Sequence, residues 1–93
     1  MTEKLSVVVV GLLPGQAREL ARRCPGVRLR FASGKGSAPR FPGGDAVVLV
    51  RFITHKWSGA AFRRWPRHRV HYHPGGLSGL VGLVNGLAAG GEV

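Results

Sequence analysis

Acidic side chains are nearly missing from this chain. Its 93 residues carry 4 Asp and Glu against 14 Lys and Arg, a formal charge of +10 with a pI near 11.8. The four acids are also scattered: Glu3 and Glu92 lie near the ends, Glu19 within the first predicted helix, and Asp45 at the start of the third predicted strand. That distribution argues against a paired-carboxylate hydrolase and against a Mg²⁺-dependent nuclease, both of which gather acids in one place. Cysteine is equally scarce. A lone Cys24 excludes an intramolecular disulfide and any Cys-rich zinc module, and it is expected to pack half-buried at a helix end. Long hydrophobic runs are absent too. The longest, Val7 to Pro14, falls far short of the roughly 20 residues that span a bilayer. It has neither the basic leader nor the cleavage site of a signal peptide, so the expected location is cytoplasmic, with no membrane partner.

The chain nevertheless has material for a core. It is 44% apolar, and a chain of this length buries roughly 60–65% of the surface its unfolded form exposes, so residues 1–93 read as a single domain. Leu5 to Val10 is a β-branched run ending at Gly11, the pattern of a strand buried on both faces. After a turn from Gly11 to Gly15, a helix over Gln16 to Cys24 sets Ala17, Leu20, Ala21 and Cys24 on one face and stops at Pro25-Gly26. Val27 to Phe31 alternates, with Arg28 and Arg30 on its polar face, as an edge strand does. Ala32 to Gly44 is too rich in Gly and Pro for a helix, so a crossover helix of the complete doubly wound unit is missing. Ala46 to Val50 is a second all-apolar strand, followed by a helix over Lys56 to Arg64, an edge strand over Arg69 to His73 and a last helix over Leu77 to Ala89.

The order βαββαβα predicts an α/β fold: half of a doubly wound (Rossmann/flavodoxin-like) sheet, four parallel strands in order 2-1-3-4. The last helix is apolar around most of its circumference, and Gly79, Gly82 and Gly86 would let another backbone approach closely. The missing crossover helix should leave one sheet face thinly covered. Together these predict a homodimer, through the Gly-rich C-terminal helix or the uncovered sheet face.

Several short segments carry a family resemblance over nearly the whole chain. They are the opening Val7 to Gly11, Asp45 to Val50, Ile53-Thr54-His55 at a helix entrance, and Gly75 to Ser78 at the next. In these the chain resembles the small bacterial proteins grouped as domain of unknown function twenty-three twenty-five. The resemblance implies a Rossmann-type half-sheet and no particular activity. This chain departs from the family in its much stronger basic charge and its Gly/Pro-rich loop between strands two and three.

Ligands of parallel sheets bind beyond the carboxyl ends of the strands, where neighbouring connections diverge. Arg51, Thr54, His55, Gly75, Gly76 and Ser78 are predicted at that end, together with Lys35 and Lys56. Gly75, Gly76 and Ser78 open a helix whose free amides and positive dipole end can hold a phosphate, although Ser78 taken alone reads better as a plain helix-entry residue. No GxGxxG follows strand one, so NAD and FAD are not expected, and no cofactor is assigned. Thr54 and His55 could form a His-based site, but no carboxylate partner lies near in sequence, and no catalytic residue is assigned. His68, His71 and His73 sit two or three apart without acidic support, so they are not read as a metal site, and His71 and His73 are read as lining the outer face of an edge strand.

The basic residues form two clusters. Arg18, Arg22, Arg23, Arg28 and Arg30 belong to the first helix and the strand after it. His55, Lys56, Trp57, Arg63, Arg64, Trp65, Arg67, His68 and Arg69 interleave aromatics with cations, and Lys35 and Arg40 lie in the long loop. Arginines neutralise phosphates, and an exposed tryptophan can stack an unpaired base. Taken singly, each tryptophan reads as core. Taken together, the charges have too few acids to be an ordinary solvated face. The sequence therefore points to a small non-enzymatic nucleic-acid-binding protein, DNA or RNA, working through backbone phosphates. The alternatives are a nucleotide or phosphate sensor using the crevice and a basic subunit of a larger assembly.

Overall fold

The structure is a computed structural model that describes residues 4–33, 39–50 and 55–89. Its elements are β1 (Leu5–Val10), α1 (Pro14–Arg23), β2 (Val27–Ala32), β3 (Ala46–Val50), α2 (His55–Arg64), a 3-10 turn at Arg67–Arg69, β4 (Val70–His73) and α3 (Leu77–Ala88). All four strands run parallel in the order β2-β1-β3-β4. This is the predicted half of a doubly wound fold. The differences lie at element ends. α1 begins two residues earlier, at Pro14, because proline is well suited to a first helical turn whose N–H groups lack intrahelical partners. There Gln16 Oε1 accepts from the Leu13 N–H at 3.1 Å. α2 takes in His55, and β4 begins after Arg69, which belongs to the 3-10 turn.

Side chains alternate across a strand, so β1 and β3 must bury both of their faces. On one face Val7, Val9, Val48 and Val50 pack against Leu20 and Cys24 near α1 and against Leu80 and Val84 of α3. Cys24 is fully buried, and desolvation raises its thiol pKa above the ordinary value. On the other face Val8, Val10, Val47 and Leu49 meet Trp57, Ala61 and Trp65 of α2 and its C-terminal end. The first face has two helices and the second has one.

Over the two central strands that second face is nonetheless closed, although Arg28 and Arg30 of β2 stay exposed on it. Phe41, from the segment that stands in for the crossover helix, packs edge-on against Trp57 and Trp65, with ring centroids 5.3 and 5.2 Å away at 86° and 80°. Edge-to-face rings interlock without voids, and Val8 and Val10 are left with no exposure. The segment is then fastened where it enters β3. Trp65 Nε1 donates to the Gly44 carbonyl at 2.9 Å. A Cβ on Gly44 would fall 2.8 Å from Val8 Cγ2, so only glycine fits this close approach. Next to it, Asp45 Oδ2 accepts from the Ser6 N–H at 2.9 Å while the Asp45 N–H donates to the Ser6 carbonyl at 2.8 Å.

Phe41→Ala removes the ring that both tryptophans pack on, and it should destabilise the fold by about 2–4 kcal/mol, the lower to middle range for a large-to-small change at a partly buried aromatic. Chemical denaturation of the variant against wild type checks this.

Candidate functional site

The alternation that builds the sheet also sorts the basic residues. Arg28 and Arg30 lie on the same side of β2 as Ala32, which packs with the α2-side core, and both are exposed. Arg18, Arg22 and Arg23 belong to α1, on the opposite face. The first cluster expected from sequence is therefore divided between the two faces of the sheet. On the α1 side two of the charges are also partly neutralised. Glu19 accepts from Arg23 Nε at 2.6 Å and forms a second ion pair with Arg22, and these interactions hold its carboxyl below the ordinary value.

On the α2 side the cations accumulate. Arg28, Arg30, Arg40, Lys56, Arg63, Arg64 and Arg67 are all exposed there or in the segments lying on that face. Arg63 extends back over Gly59, with Nη1 3.7 Å from where a Cβ would stand. Arg64 lies over the Trp65 ring at 5.4 Å, and Arg67 over the Phe62 ring at 5.7 Å, distances at which a guanidinium is attracted to the ring face. Arg69 is different: it donates through Nη1 to the Asp45 carbonyl and through Nε to His68 Nε2, each at 3.3 Å, so it serves the fold. Lys35, Arg51 and Thr54 lie outside the described residues.

The aromatics are sorted in the opposite sense from a stacking role for tryptophan. Trp57 and Trp65 are 3% and 6% exposed and belong to the core. Two residues given no role by the sequence are on the surface instead: Phe62 at 50% and Tyr72 at 62% exposure. They line a groove of about 270 Å³ between α2 and the outer strand β4, together with His55, Ser58, Leu49 and Val70. His55, Ser58 and Phe62 follow the three- and four-residue spacing of one helix stripe, next to the buried stripe of Trp57 and Ala61. Tyr72 shares its side of β4 with Val70, which packs with the α2-side core.

That same alternation corrects the expectation for the histidines. His71 and His73 do not line the outer face: they pair with Val48 and Val50 in the sheet and stand on the side covered by α3, where both are half-buried. His73 Nε2 lies 3.0 Å from the Gly76 carbonyl, and its ring fills the space where a Cβ on Gly75 or Gly79 would be, 2.9 Å from the latter. Burial lowers the His71 pKa. Gly75, Gly76 and the exposed Ser78 enter α3 on this side, whereas His55 opens α2 on the other. The residues proposed for one crevice thus start helices on opposite faces of the sheet. Among the described residues no three His, Cys, Asp or Glu side chains gather in a way that could hold a metal ion.

No family model, no curated protein and no solved structure matches this chain, so its function is read from its own residues.

The buried state of both tryptophans has an optical consequence. Their emission should be blue-shifted and poorly quenched by acrylamide. Strong quenching by acrylamide would mean that an indole is open to solvent.

Proposed function

We propose that this chain is a small, non-enzymatic nucleic-acid-binding protein of the cytoplasm whose interface is the α2 face of the sheet. The observation that carries the reading is the gathering of Arg28, Arg30, Arg40, Lys56, Arg63, Arg64 and Arg67 on one side of a +10 molecule. No described acid pairs with any of them, since Glu19 is engaged by Arg22 and Arg23 and Asp45 by Ser6. A face of that kind draws a polyanion over a Debye length of about 8–10 Å and binds by releasing the counterions condensed on it. Arginine suits the task because its guanidinium presents several donors in a plane to phosphate oxygens. Phosphate contacts of this type position a strand without reading its sequence.

The phosphate-sensor alternative has less to support it. Two of its candidate residues, Arg51 and Thr54, lie outside the described residues. A homodimer through α3 remains part of the proposal. Gly82 and Gly86 have nothing within 4 Å of where a Cβ would stand, so packing within the chain does not require glycine at either position. Sedimentation equilibrium should give the mass of two chains for the wild type and of one for Gly82→Leu.

The interface is tested by fluorescence anisotropy of labelled DNA and RNA across about 50–300 mM salt, a range over which phosphate-driven affinity falls steeply. Replacing Arg28, Arg30, Arg63, Arg64 and Arg67 with Gln should flatten the log–log salt slope by roughly 0.9 for each duplex phosphate that is no longer neutralised. The matching change of Arg18, Arg22 and Arg23 should alter it far less. Equal effects from the two sets would remove the face assignment, and no binding by the wild type at low salt would remove the nucleic-acid reading.

A further inference from the structure

The groove between α2 and β4 is a feature of the α2 face that positive charge alone does not explain. Phosphate binding needs exposed cations, and it has no use for apolar ring surface held in water. Yet Phe62 from the helix and Tyr72 from the edge strand remain half or more exposed, over a floor formed by Leu49 and Val70. Both rings sit on regular elements, so their positions are set by the backbone and not by a loop. The groove is about 270 Å³, a little below the usual range for a drug-sized ligand and suited to one planar heterocycle. Its other lining residues are His55 and Ser58, whose hydroxyl donates to the His55 carbonyl at 3.2 Å.

Charge complementarity identifies the occupant. Arg67 lies over the Phe62 ring, His55 lines the groove and Lys56 follows it at the start of α2, while neither described acid borders it. An apolar peptide would gain from the rings and be indifferent to the cations. Duplex nucleic acid would meet the cations, but its bases are stacked and unable to enter. An unpaired base joined to a phosphate backbone uses both features: the base meets the aromatic walls while the neighbouring phosphates meet the guanidinium groups. From this we infer that the α2–β4 groove holds an unpaired base of single-stranded nucleic acid, with Phe62 and Tyr72 as stacking residues. The inference rests on the nucleic-acid reading above and narrows it from any polyanion to single strands.

The experiment compares three labelled probes of equal length, about 10 nucleotides, which is within the span of one small single-strand-binding domain. They are an oligothymidine, a strand of abasic sites with the same phosphate charge, and a duplex. The wild type should bind oligothymidine at least about 5-fold more tightly than the abasic strand, the lower bound for one base stacked on an aromatic side chain. In Phe62→Ala/Tyr72→Ala that ratio should fall toward one. Both positions are surface exposed, and the wild-type comparison needs no variant, so a failure to fold would not protect the idea. Equal affinity of the wild type for base-bearing and abasic strands, with a steep salt slope for both, would overturn the groove assignment and leave the phosphate reading standing. Preference for the duplex would overturn it in the same way. Absence of binding to all three probes at low salt would overturn both.

Discussion

Everything in this fold answers to the two central strands. β1 and β3 supply valines and a leucine on both faces of the sheet, and each face has to be sealed from water. A doubly wound sheet ordinarily does so with helices on both sides, and here the described residues between β2 and β3 form no helix. Phe41 closes the gap by wedging its ring against Trp57 and Trp65, while the Trp65 indole N–H holds the Gly44 carbonyl and fixes where the segment turns into β3. Three rings and a glycine thus cover what a second helix would cover. The arrangement also commits both tryptophans to the core.

That commitment shapes the surface. With the indoles inside, the exposed aromatic area beside the cations comes from the outer stripe of α2 and the outer strand, Phe62 and Tyr72, which flank a groove. The same packing decides which charges act together. β2 points Arg28 and Arg30 away from α1, so they join the α2 side, while Glu19 partly neutralises the arginines of α1. A chain that is basic throughout becomes a molecule with one predominantly basic face.

Much of this was legible in the residues. The β-branched runs at Val7 to Val10 and Ala46 to Val50, with turns after each, specify central parallel strands, and the alternation in Val27 to Phe31 specifies an edge. The tryptophans were best read as core. What could not be read was the partner of each face. Arg18 and Arg28 are close in sequence and similar in chemistry, yet which side of the sheet a helix crosses to is a three-dimensional fact. The histidines of β4 show the same limit. Period-two alternation says that His71 and His73 share one side and Tyr72 has the other, without saying which side α3 covers.

The sequence by itself determined the fold class, the strand order and the excess of positive charge, because these follow from local periodicity, from the handedness of parallel connections and from composition. The tertiary structure alone decided that Phe41 replaces a helix, that His73 lies against the glycines entering α3, and that Phe62 and Tyr72 share a groove. Each of these joins residues distant in the chain or on different elements, through packing that depends on shape and on side-chain direction. No local pattern encodes which surfaces will meet.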